Sequence, residues 1–235
     1  MTGMLASVNS LNEALLVLKA QVDIIDLKQP ANGALGALPI DIVKTIVSEI
    51  HGRLPISATI GDLPMHPEQV FSAVKTMATT GVDMIKIGFF PNGDTQSTVA
   101  KLSQLSGQNR TLIAVLFADG EPDFTLIPEL KAAGFKGVML DTVDKKRGSL
   151  TTIMPKSSLS QFVILAKKSD LLCGLAGSLK IEDIAKLLPY EPDYLGFRGA
   201  LCEQHNRVGQ LNVNAINQIK QIITSVGEQK INFPT

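Results

Sequence analysis

The chain has 235 residues, 45% hydrophobic and 19% charged, and its 22 basic residues balance 22 acidic ones. Such a composition builds a core rather than a disordered chain, and the zero net charge offers no overall field to recruit nucleic acid or an anionic membrane. Its two cysteines, Cys173 and Cys202, form no CxxC pair and have no neighbouring histidine, which argues against a disulfide framework or a zinc site and makes a reducing cytoplasm the default compartment.

The opening stretch, MTGMLASVNSLNEALLVLKA, lacks a basic leader and carries Asn and Glu among its apolar residues, so it reads as a first strand and helix rather than a signal peptide. No apolar run approaches the ~20 residues of a membrane span. From there short apolar runs alternate with amphipathic stretches. Strands are predicted over residues 4–8, 22–28, 55–60, 83–89, 111–117, 136–142, 170–176 and 193–199. Between and after them, apolar residues recur at three- and four-residue intervals over 10–20, 39–50, 67–80, 95–105, 125–134, 159–169, 181–189 and 211–224, as helices packed on a sheet require.

Near-continuous apolar strands point to a parallel sheet buried on both faces. Eight β/α units without a linker or composition break predict a single α/β domain over residues 1–235, closed as a (β/α)8 TIM barrel. A doubly wound open sheet is the alternative. Exposed helix faces leave a homo-oligomer open without fixing its size.

In a barrel the chemistry gathers at the C-terminal strand ends, and the polar residues there form a set. The second strand ends in Asp26 and Lys28, two apart and so on one face. The third runs into Thr59, Gly61 and Asp62; Lys86 interrupts the fourth; Asp119 follows the fifth; Asp141 ends the sixth, with Lys145 four residues on. Lys86 is the most unusual, because an ammonium in an apolar strand is costly unless paired and its pKa falls on burial. Its blander reading is an ion pair with Asp26 or Asp141. Lys28 alone could be a solvated strand end, and Lys145 lies in the charge run DKKRGS, which reads as a solvated loop.

The turns AGSLK and FRGA after the seventh and eighth strands suit a phosphate, through Gly177, Ser178, Gly199 and Ala200, with Arg198 as a bidentate clamp. His51, His66 and His205 are scattered and read as surface or capping residues, so no metal triad or histidine-activated nucleophile emerges. No GxGxxG and no P-loop supports a nucleotide cofactor. These residues together describe a lysine enzyme without metal or cofactor, acting on a small phosphorylated carbonyl compound.

The blocks DIIDLKQPANGALGA, SATIGD, DMIKIGF, VMLDTVDKK, LAGSLK and GFRGA, in this order, resemble the (5-formylfuran-3-yl)methyl phosphate synthase family of methanofuran biosynthesis. The resemblance implies a (β/α)8 fold and the condensation of two glyceraldehyde 3-phosphate molecules to a furan aldehyde phosphate, with loss of phosphate and water. It implies that Lys28 forms the Schiff base, that a neutral Lys86 accepts a proton, and that Asp26, Asp141 and Lys145 take part in catalysis. Asp62 and Asp119 are added as substrate-binding candidates at their strand ends. Two stretches depart from the family pattern: EQHNR at 203–207, where a glycine-rich phosphate loop is expected, and a short ADGEPDF at 118–124, which bears on the second-substrate pocket. Another Schiff-base aldolase or phosphosugar lyase, and a non-catalytic sugar-phosphate sensor, are the competing readings.

Overall fold

Eight of the predicted apolar runs pair edge to edge in chain order. The computed structural model describes residues 1–105 and 111–229. Its strands are β1 (Gly3–Val8), β2 (Ile24–Leu27), β3 (Ile56–Thr59), β4 (Met84–Gly88), β5 (Thr111–Phe117), β6 (Gly137–Asp141), β7 (Leu172–Leu175) and β8 (Tyr194–Phe197). All neighbours are parallel, and β8 returns to pair with β1, closing the barrel. The outer helices are α1 (Leu11–Lys19), α2 (Ile40–Ile50), α3 (Pro67–Ala78), α4 (Thr95–Leu102), α5 (Leu126–Ala132), the single turn α6 (Leu150–Ile153), α7 (Lys156–Lys168), α8 (Ile181–Leu187) and α9 (Val213–Gln229).

Local chemistry accounts for the helix ends. Ser10 caps α1 by accepting from the Glu13 N–H at 3.3 Å, and the Glu13 carboxylate reaches back to the Asn9 N–H at 2.9 Å. Asp94 caps α4 through the Ser97 N–H at 2.9 Å. His51 ends α2 in the left-handed region and His66 directly precedes α3, which suits the capping reading of both. The α6 turn is an addition the periodicity missed, since four residues are too few to display a helical repeat.

The strands alternate their faces. Outward residues such as Ala6, Ile25, Ala58 and Ile85 join helix residues such as Val17, Ile46, Val74 and Phe162 in the main core. Inward residues Leu5, Met84, Ile113, Val115, Met139 and Tyr194 fill the barrel in a second apolar cluster. Space there is shared between large and small: a Cβ on Gly174 would lie 2.4 Å from the Tyr194 ring. The glycine makes room for the tyrosine. Among the described residues no helix is long and apolar enough to cross a membrane.

Candidate active site

Above the apolar plug the inward positions turn polar. Registry places Ser7 of β1 and Ser57 of β3 on either side of Asp26 of β2. Both hydroxyls donate to that fully buried carboxylate, Ser7 to Oδ2 at 2.8 Å and Ser57 to Oδ1 at 2.7 Å. Lys86, buried on β4, completes the set with its Nζ 2.6 Å from Asp26 Oδ1. Burial pushes the Asp26 carboxyl up, but the Lys86 and Lys28 charges and the bonds from Lys86 and Ser57 outweigh it, leaving the pKa below its usual value. Lys86 is therefore ion-paired with Asp26 rather than standing as an isolated neutral amine.

Lys28 follows the last residue of β2, and its amine faces a different carboxylate, Asp141 Oδ2 at 4.0 Å. Burial lowers its pKa from 10.5 to about 8, against the opposing pull of Asp141 and Asp26. Asp141 itself is driven upward by burial, yet Lys145, Lys28 and the Thr142 N–H hold it down at about 2. Lys145 bonds Asp141 Oδ1 at 2.5 Å and also the Thr142 carbonyl, so it is folded into the mouth rather than solvated. The five residues Asp26, Lys28, Lys86, Asp141 and Lys145 line one cavity of about 200 Å³.

The two glycine turns meet over the same cavity: Gly177, Ser178, Gly199 and Ala200 all line it. Gly177 has φ +107, and a Cβ there would sit 2.9 Å from Thr142 Cγ2. Arg198 differs from its expected role. Its Nε donates to the Arg207 carbonyl at 2.7 Å, Nη1 to Ser7 O and Glu13 Oε2 at 3.1 and 2.5 Å, and Nη2 to Glu13 Oε1 and Gly209 O at 3.2 and 3.0 Å. A guanidinium has five N–H groups; these contacts occupy them, and none is left to clamp a phosphate.

Asp62 and Asp119 lie elsewhere. Asp62 accepts from the Ala34 and Leu35 N–H groups at 2.8 and 2.7 Å, pinning the loop after β2. Asp119 accepts from the Val143 and Asp144 N–H groups, fixing the loop after β6, and borders a second cleft of about 830 Å³ beside the short 118–124 loop. Both carboxylates brace loops of the barrel mouth instead of facing the lysines. Lys180, His205 and Arg207 line the cavity without having been singled out. Arg207 comes from the stretch that departed from the family pattern. Among the described residues no group of three or more His, Cys, Asp or Glu side chains is placed to hold a metal ion.

A closed (β/α)8 barrel with buried amines and carboxylates at its C-terminal mouth defines a class of small-molecule barrel proteins whose chemistry rests on lysine and aspartate. The sequence profile of the 4-HFC-P synthase family matches residues 4–220, and the chain belongs to that family. It is 34% identical over 232 residues to (5-formylfuran-3-yl)methyl phosphate synthase of Methanococcus maripaludis strain S2, covering 93% of this chain and 98% of that one. A Methylorubrum extorquens protein given the same enzyme name provisionally is 41% identical over 204 residues, 87% of this chain and 84% of its own. Among solved structures, phosphoribosyl anthranilate isomerase from Thermotoga maritima superposes with a TM-score of 0.68 at 12% identity, over 96% of this chain and all of that one (100%). A 3-hexulose-6-phosphate synthase gives 0.59 at 18%, over 92% and 99%. At these identities the structural likeness speaks for the barrel alone.

Proposed function

We propose that the protein condenses two molecules of glyceraldehyde 3-phosphate to (5-formylfuran-3-yl)methyl phosphate, releasing phosphate and water, through a Schiff base on Lys28. The observation that carries this reading is the buried Lys28 amine, shifted to about 8, in a cavity that also holds the Asp26–Lys86 pair and Asp141. An amine with that pKa is partly unprotonated near neutral pH and attacks an aldehyde carbon directly. The resulting iminium withdraws electrons from the adjacent carbon, so its proton leaves readily, phosphate can depart from the next carbon, and an aldol bond can form to a second aldehyde.

Asp26 and Lys86, 2.6 Å apart, handle the proton as a unit. Lys86 can accept one only after passing its own to Asp26 or to a leaving group. Asp141 lies between Lys28 and Lys145, where it steadies the iminium charge and Lys145 supplies a second donor. The family's name agrees with a furan phosphate product.

Incubation with glyceraldehyde 3-phosphate followed by borohydride and peptide mass mapping tests the reading. Expected are a reduced adduct on Lys28, furan absorbance and free phosphate, with no adduct in Lys28→Ala. Labelling of another lysine, or release of phosphate without a furan chromophore, rejects the assignment.

A further inference from the structure

The cavity holds more cationic groups than its carboxylates neutralise. Lys86 is matched by Asp26, Lys145 by Asp141, and Arg198 by Glu13. Arg207 has no such carboxylate. Among the described residues its guanidinium makes one hydrogen bond, from Nη2 to the Gly33 carbonyl at 3.0 Å, while the residue lines the cavity that Lys28 faces. Burial lowers its pKa, opposed by the charges of Asp141 and Asp62, so its charge is felt inside the site.

The backbone around Arg207 is built to present it. The segment returns on itself through the Cys202–Leu211 bridge, and Gln204 and His205 both occupy the left-handed region, at φ 52 and 56, without being glycine. Such conformations persist where surrounding structure enforces them, and they cluster where a side chain must be aimed. The enforcing group is Arg198: its guanidinium donates to the carbonyls of residues 207 and 209, on the arginine itself and two residues beyond. Glu13 holds that guanidinium from α1 through both carboxylate oxygens.

Building on the function proposed above, we propose that Arg207 binds the phosphate monoester of the substrate, and that Arg198 and Glu13 are positioning residues acting through it. A dianionic phosphate satisfies a guanidinium edge by two parallel hydrogen bonds. In this cavity it would also meet the turns at Gly177–Ser178 and Gly199–Ala200. The phosphate-binding arginine thus comes from 203–207, whose sequence departs from the glycine-rich pattern, and the neighbouring Arg198 serves it from behind.

The test uses the full chain with inorganic phosphate as probe, titrated calorimetrically, and compares Lys28 labelling by glyceraldehyde 3-phosphate with labelling by glyceraldehyde. In Arg207→Gln phosphate affinity is expected to fall at least tenfold, with Arg207→Lys intermediate. The labelling preference for the phosphorylated aldehyde should fall by a similar factor. Glu13→Gln should lower that preference several-fold, and Glu13→Asp should recover part of it. Phosphate binding unchanged in both Arg207 variants overturns the proposal, as does a Glu13→Gln loss that is equal for both aldehydes. Should no aldehyde label Lys28 in the unaltered protein, the catalytic reading fails, while the phosphate titration still decides the role of Arg207.

Discussion

An amine attacks an aldehyde only when its nitrogen lone pair is free, so the pH at which Lys28 loses its proton sets the pH at which it can react. With that value near 8, the initial rate of borohydride-trapped adduct should rise about tenfold per pH unit below 8 and level off above it. Asp141 opposes this release, because its negative charge favours the ammonium, whereas Lys145 promotes it. Asp141→Asn removes the first influence and frees Lys145 from its partner, and both changes act in the same direction. The midpoint of the trapping profile should therefore move to lower pH in Asp141→Asn, even as later steps slow. A midpoint that moves upward would show that the proton on Lys28 is governed by something other than these two neighbours.

Among the elements, β7 and β8 carry the tightest exchange of volume inside the barrel. Tyr194 reaches across to the glycine of its neighbour strand, and a methyl group on Gly174 would lie 2.4 to 2.7 Å from three atoms of the tyrosine. Gly174→Ala should cost about 1–3 kcal/mol by overpacking, read as a lower urea midpoint at unchanged slope. Tyr194→Leu in the same chain should recover part of that loss, which a double-mutant cycle measures. All eight strands could be read from the sequence because a buried parallel strand is a local apolar run. Their ends overran by a residue or more in several cases, as at 136–142 against Gly137–Asp141, since apolarity does not reveal which residues join the ladder. The inward charges Asp26, Lys28, Lys86 and Asp141 were legible for the opposite reason: each interrupts such a run. Arg198 was misjudged because its partner Glu13 is 185 residues away. Asp62 and Asp119 were misjudged because their acceptor roles depend on backbone N–H groups of other loops. Arg207 was passed over because the two left-handed residues before it are not glycine, so nothing in EQHNR announces the turn.

At the scale of the whole molecule, the buried titratable groups shape how stability depends on pH. Lys28 binds its proton less tightly when folded, about 8 against 10.5, so its charged form costs the fold about 3 kcal/mol below pH 8, and the cost is relieved as pH rises from 8 to 10.5. Asp141 acts at the other end. Its lowered pKa contributes about 2 kcal/mol above pH 3.8, lost as pH falls towards about 2, and Asp26 acts with the same sign. Cys173 opposes Lys28 in alkali: burial pushes its thiol from 9.0 up to about 12, so ionisation of the unfolded chain drains stability as pH rises above 9. Tyr194, also raised by burial, adds to that loss from pH 10 upward. The gain from Lys28 thus acts alone only between pH 8 and 9, and urea midpoints should peak near pH 9 despite a sequence pI of about 6.8. Lys28→Met removes the gain along with the cost. It should be more stable than the unaltered protein by up to about 3 kcal/mol at pH 7, lose that advantage by pH 10.5, and decline from pH 9 without a preceding rise. A midpoint series over pH 5 to 10 on both proteins separates the cases, and an alkaline rise retained in Lys28→Met would assign it to another group.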